Sequence, residues 1–189
     1  IMNKFSTILM TGGISALSAN NFGGKLARTT KYFDFNKNRP VEPANPDEAK
    51  KQFKSNIEKE LREKSTSLNK QNISAEFSMV NALKREARLS SQPHIYIFYT
   101  DTFDGALCAE INESCLRELE QINHIERIKI KSLSVSSKER FNIGLGNFLT
   151  QLDWALKTVD RYTTAFAPIG GYKVMTIYGF ALAASKGLR

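Results

Sequence analysis

The sequence predicts an α/β fold built on a mostly parallel sheet with helices on both faces. Three observations predict it: short runs of β-formers alternate with longer helical segments, the first and central strand runs are nearly continuous in β-formers although Ile125–Ile130 alternates, and three strand ends carry glycine- or hydroxyl-rich loops. Phe5-Ser6-Thr7-Ile8-Leu9-Met10 is an apolar run that leads into Thr11-Gly12-Gly13, as a buried first strand entering a glycine turn does. From Ser18 to about Pro46 the chain is rich in Asn, Gly and Pro without a clear period, and reads as a long loop. Pro46-Asp47-Glu48-Ala49 opens a helix, with proline and acids in the first turn, and strong helix formers carry it to about Leu68.

Ser74 caps a second helix that shows Phe77, Val80, Leu83 and Ala87 on one face and is stopped by Gln92-Pro93. His94-Ile95-Tyr96-Ile97-Phe98-Tyr99 is nearly continuous in β-formers and reads as a central strand. A helix from about Gly105 to Ile122 follows, then a strand over Ile125–Ile130. Glu139–Arg161 is helical, with Leu145, Phe148, Leu149, Leu152, Leu156 and Val159 on its apolar side. Thr163–Ala167 is a short strand ending at Pro168, and Tyr172 to about Ser185 is a final apolar helix. The resulting order, β, α, α, β, α, β, α, β, α, is Rossmann-like, with right-handed crossovers expected between parallel strands.

Bulk properties narrow the function. At 189 residues the chain suits one core, and 41% hydrophobic with 24% charged residues is ordinary for a globular protein. Most of the net charge of +8 lies in the first half, where residues 1–90 hold 16 Lys and Arg against nine Asp and Glu. That surplus is compatible with an anionic ligand, although a solvated basic helix around Lys50–Lys70 explains much of it. Cys108 and Cys115 lie seven apart on one helix, roughly 10 Å along its axis, too far for a disulfide. With two His and neither Cys-x-x-Cys nor His-x-x-x-His spacing, no metal or cofactor is expected. Reduced thiols, no signal peptide and no apolar run of about 20 residues predict a cytoplasmic protein without a membrane partner, with Ile1-Met2 read as a remnant ahead of the natural start.

Ligands of open α/β sheets bind beyond the carboxyl ends of the strands. Three loops there carry unusual residues. In Thr11-Gly12-Gly13-Ile14-Ser15, glycines let backbone amides approach a phosphate or ribose, and a plain tight turn is the alternative. It is not a G-x-G-x-x-G fingerprint, and no P-loop motif occurs. Thr100-Asp101-Thr102-Phe103-Asp104-Gly105 offers four polar side chains, one or two of which helix capping explains; capping also accounts for Asp101 and Asp104 more simply than a magnesium site does. Pro168-Ile169-Gly170-Gly171-Tyr172-Lys173 places a lysine in the first turn of a helix, where it opposes the helix dipole. An anion on the amides, held by Lys173, would resolve that conflict; a solvated lysine is the alternative. His94 and His124 flank strands and read as structural, and Ser15 has no evident His and acid partners for nucleophilic work.

Several blocks resemble a known family. Ser74-Ala75-Glu76, then Tyr99-Thr100-Asp101-Thr102 with Gly105 and Cys108-Ala109-Glu110, look like its "SAE" and "SDT…G…CAE" blocks. Gly144-Leu145-Gly146-Asn147-Phe148-Leu149 is similar to its "GL-x-N-L" helix, and Gly170-Gly171-Tyr172-Lys173 to its "TGG[FY]K" loop. The family is the CRISPR-associated Rossmann fold (CARF), in its APE-type branch, and the likeness runs from Phe5 to Leu188. It implies a homodimer that binds a cyclic oligoadenylate, a tetra- or hexa-adenylate, across its two-fold axis, with no role for duplex DNA. Such rings are second messengers of type III CRISPR defence. The implied ligand contacts are Thr11, Gly12, Gly13, Ile14 and Ser15, then Thr100, Asp101 and Thr102, then Gly170, Gly171 and Lys173. Some members cleave the ring without a metal; Lys173 then stabilises charge and Ser15 or Thr11 orients the ribose. One departure stands out, since Ile169 precedes the glycines where the family has threonine. The expectation is a single sensing domain over residues 1–189, either a short protein in itself or the sensor part of a longer one carrying an effector such as a HEPN ribonuclease. An ordinary nucleotide-dependent enzyme is the remaining alternative.

Overall fold

A computed structural model describes residues 4–28, 33–34, 39–41, 43–64 and 67–188. Its main sheet has four strands in the order β5-β4-β1-β6, formed by β1 (Phe5–Thr11), β4 (Leu89–Thr100), β5 (His124–Ile130) and β6 (Thr164–Ala167). All three pairings are parallel, as the alternation of strands and helices predicts. Among the described residues six α-helices accompany them: α1 (Phe22–Arg28), α2 (Pro46–Lys64), α3 (Ala75–Arg85), α4 (Phe103–Glu120), α5 (Lys138–Thr158) and α6 (Lys173–Ser185).

Helices cover both faces because successive strand residues point to opposite sides and both sides are apolar. Ile8, Met10, Ile95 and Ile97 face a core completed by Phe53, Ile57, Leu61, Phe77 and Leu107 of α2, α3 and α4. Leu9, Tyr96 and Phe98 face a second core with Phe148, Leu152 and Leu156 of α5 and Met175 and Ala183 of α6. Phe98 and Phe148 meet edge to face, centroids 6.0 Å apart.

Two expectations need correction. The stretch from Ser18 to Pro46 is not one structureless loop: it carries α1 and a small antiparallel ribbon of β2 (Phe33–Asp34) and β3 (Arg39–Pro40). Gly23 and Gly24 hide α1 in the sequence because glycine is a poor helix former, by about 1 kcal/mol relative to alanine. They serve packing instead, since a Cβ on Gly24 would lie 2.0 Å from the Ser18 carbonyl oxygen and one on Gly23 would lie 2.3 Å from Ile111 Cδ1. The second correction concerns β4, which starts at Leu89, so Pro93 lies inside a strand and does not separate two elements. The β1–β4 register shifts between Phe5/Leu89 and Thr7/His94, and that irregularity accommodates a residue without an N–H. Ala87, with φ +55°, makes the tight exit from α3. The remaining elements agree with expectation to within a few residues; α2, for instance, ends at Lys64 and α5 at Thr158.

Candidate functional site

Chain direction creates the site. From β1 the chain moves outward through β4 to β5, then returns across the sheet to place β6 on the other side of β1. The segment after β1 runs into the core of α1–α4, where Ala16 and Leu17 are buried, whereas the segment after β6 runs into the α5–α6 core at Met175. The two connections leave the sheet on opposite faces. This is the topological switch point at which open α/β sheets bind ligands.

The loops that meet there are the first and third of those singled out in the sequence. Gly12 N–H donates to the Phe98 carbonyl at 2.7 Å, and Gly170 N–H donates to the Thr11 carbonyl at 3.0 Å. Thr11 Oγ1 donates to the Gly170 carbonyl at 2.6 Å. Both glycines of the third loop have a packing reason. A Cβ on Gly170 would sit 2.2 Å from both Gly13 N and Glu76 Oε1, and Gly171 has φ +85°. Close approach and a left-handed turn therefore account for the glycine pair before any ligand is invoked.

Lys173 is not accounted for in that way. It is the first residue of α6, exposed, and forms no hydrogen bond or ion pair with another described residue. Tyr172 at the N-cap provides no side-chain acceptor, and the first turn has no acidic residue. Among the described residues the helix thus begins without a capping side chain and with a cation in its first turn, an arrangement that favours an anion. Tyr172 itself packs edge to face on Phe141, centroids 5.6 Å apart, and burial pushes its phenol pKa up.

The second loop serves largely as a cap. Thr102 Oγ1 accepts from Gly105 N–H at 3.1 Å and lies 2.9 Å from Thr100 Oγ1, which is buried. Asp101 turns toward the segment after β5: it accepts from Ser132 N–H at 3.1 Å, with Lys129 at 3.5 Å and Arg140 at 3.9 Å. These contacts leave Lys129 and Arg140, each about half exposed, near the carboxyl end of the sheet. Ile14 and Ile169 are exposed at the tips of the first and third loops.

Sequence reasoning passed over one site residue. Glu76, in the first turn of α3, is fully buried beneath the two glycine loops. Its Oε1 accepts from Gly13 N–H at 2.6 Å and its Oε2 from Ser15 Oγ at 2.8 Å. Ser15 therefore does have an acid partner, brought from 61 positions away. Ser74 starts α3 by accepting from Phe77 N–H at 2.9 Å while donating to buried Asn112 of α4, so the turn carrying Glu76 is held from both ends. The "SAE" block contained the signal, but its likeness to a capped helix start obscured it.

Elsewhere the side chains read as structural. Cys108 and Cys115 are free and buried; burial raises the Cys108 pKa well above the thiol range and brings Cys115 to about 12. His94 stacks on Tyr96, centroids 4.3 Å apart. Among the described residues, no group of three or more His, Cys, Asp and Glu is placed to hold a metal ion. No helix of the described residues is long and apolar enough to cross a membrane.

Residues 71–188 match a family model described as "CRISPR-associated protein (Cas_APE2256)". A comparison with curated proteins found no match. The matched stretch contains Glu76, Thr100–Thr102 and Gly170–Lys173, while the β1 loop precedes it. A match over well more than half of the chain decides the relationship: this chain belongs to the Cas_APE2256 family of CRISPR-associated proteins.

Proposed function

We propose that the chain is a CARF-type sensor of cyclic oligoadenylate, controlling an effector in type III CRISPR defence. The observation that carries this reading is the switch point, where the glycine loop after β1 abuts a helix N-terminus without a side-chain cap, bearing an exposed Lys173 that is unpaired among the described residues. A ring of nucleotides offers phosphates to the amides and lysine, and riboses to the Thr11–Ser15 loop. Thr100–Thr102 borders the β4 side of the crevice, where most of its polar side-chain groups are already engaged in the fold.

Each chain supplies half of the site in this reading. A ring with two-fold symmetry suits an isologous dimer. The exposed face of α6, with Ile177, Tyr178 and Phe180 each more than half exposed, begins one turn beyond Lys173 and is the seam we assign to the second copy.

Calorimetry with cyclic tetra- and hexa-adenylate tests the reading. One ring is expected to bind, and Lys173→Ala to weaken it at least tenfold through loss of a charge-assisted phosphate contact. Neither heat nor a thermal shift with either ring would overturn it; a shift with NAD or ATP instead would point to an ordinary nucleotide enzyme.

A second reading, a metal-independent ring nuclease, is favoured by one observation: Ser15 is fixed by an acid, beside a loop whose neighbouring helix begins with a lysine. In that chemistry a ribose 2′-hydroxyl attacks the adjacent phosphorus in line, losing its proton to solvent, and the P–O5′ bond breaks as the 5′-oxygen takes up a proton, with Lys173 stabilising the charge. Incubation in EDTA separates the readings: linear products ending in a 2′,3′-cyclic phosphate mean cleavage, and an intact ring means sensing alone.

A further inference from the structure

We propose that Glu76 is a positioning residue that sets the polarity of the Ser15 hydroxyl, so that the crevice selects ribose by its 2′-hydroxyl. The proposal rests on the sensor reading above and adds to it a residue and a selection rule. Its basis is a count of hydrogen-bonding valences. A serine hydroxyl has one proton to donate and two lone pairs. Ser15 gives its proton to Glu76 Oε2 at 2.8 Å and accepts from Ala75 N–H at 3.1 Å. One lone pair remains, on a half-buried residue of the loop after β1. Ser15 is therefore presented to a ligand as an acceptor only.

The choice of carboxylate matters. Glu76 is completely buried, and its oxygens accept from Gly13 N–H and from Ser15, so the rotation of Ser15 is decided from below and not by solvent. Its position at the start of α3 places the negative charge where the helix dipole favours it. Among ring atoms within reach of a ribose-binding loop, the 2′-hydroxyl is a donor and a deoxyribose carbon is not. An acceptor fixed in advance distinguishes them at little entropic cost.

The substitution Glu76→Gln inverts the arrangement while keeping its shape. Gly13 N–H can only donate, so it holds the amide oxygen of the new side chain and turns the amide nitrogen toward Ser15. Ser15 then accepts from both that nitrogen and the Ala75 N–H, and must point its proton outward, becoming a donor toward the crevice.

The test compares an all-ribose adenylate ring with the same ring carrying 2′-fluorine, which cannot donate, on the full chain by calorimetry. Wild type is expected to prefer the ribose ring by about tenfold, the worth of one buried hydrogen bond. Glu76→Gln is expected to shrink that preference without abolishing it, because fluorine weakly accepts the outward Ser15 proton while the 2′-hydroxyl, itself an acceptor, keeps a residual advantage. Ser15→Ala, which leaves the Glu76–Gly13 bond in place, removes the same preference and serves if the glutamine variant folds poorly. Equal weakening of both rings in the variants would make Glu76 merely structural and overturn the proposal. So would a wild-type chain that binds both rings equally. Silence from both rings in wild type overturns the sensor reading itself, and this proposal with it.

Discussion

Gly170 shows how a sequence signal can have a cause other than the one it first suggests. Two glycines before a helix suggest a phosphate loop, yet the atoms against Gly170 are Gly13 and Glu76 of the same chain. The glycine lets the loops after β1 and β6 touch. Gly170→Ala is expected to destabilise the fold by about 1–3 kcal/mol, the usual range for overpacking, because the displaced atoms include backbone. Thermal denaturation checks this, and an unchanged midpoint would mean the loops can part freely. Lys173 is the opposite case. No contact within the described residues explains it, so its effect is expected in binding and not in stability. Of the eleven proposed ligand contacts, all were legible as loops at strand ends. Glu76 was not, because a glutamate in a helix's first turn has an ordinary explanation and burial is invisible in sequence.

Among the elements, α3 and α4 are tied at both ends. Near the switch point the Ser74–Asn112 bond joins them. At the far end Glu120, 4% exposed, accepts from Lys70 Nζ at 2.7 Å and Asn81 Nδ2 at 2.7 Å, with Lys84 Nζ at 3.2 Å. Burial would raise the Glu120 pKa, but hydrogen bonds from Lys70, Asn81 and Lys84 together hold it below the ordinary 4.5. A carboxylate whose pKa is depressed on folding stabilises the protein above its unfolded value, and that stabilisation is lost as pH falls through the folded value. Glu120→Gln is therefore expected to lower the melting temperature at neutral pH, with the gap to wild type closing as pH drops below 4.5. A gap independent of pH would assign the loss to packing. Sequence reading found both helices but not this tie, since Lys70 and Glu120 are fifty positions apart. It also missed α1, whose glycines are selected by contact with Ile111 and Ser18 over helix propensity.

At the scale of the whole molecule, the question is what covers α6. Its buried side, Met175, Gly179 and Ala183, packs on the second core, and its outer side shows Ile177, Phe180, Ala181 and Ala184 at helical spacing. A groove lined by Leu149, Asp153, Tyr178 and Leu182 adjoins that side. If this face is the dimer seam, the double substitution Ile177→Glu with Phe180→Glu places charges against each other across the axis. The expected result is a monomer by light scattering, with unchanged circular dichroism and at least tenfold weaker ring binding because half the site is gone. A dimer that survives the substitutions would place the seam elsewhere.

What the sequence by itself determined is the class of fold and the residue types of its strand-end loops. Period-two and period-3.6 patterning is local, and so are caps such as Ser74 and Thr102 and the lysine that opposes a helix dipole. Tertiary structure alone decided which strand ends adjoin. The order β5-β4-β1-β6 brings residues 11–15 against residues 170–171 and carries Glu76 beneath both. That outcome follows from the pairing of strands far apart in the chain, which local propensity does not encode. The Gly170–Lys173 loop thus owes its residue types to local chemistry and its partners to the return of the chain across the sheet.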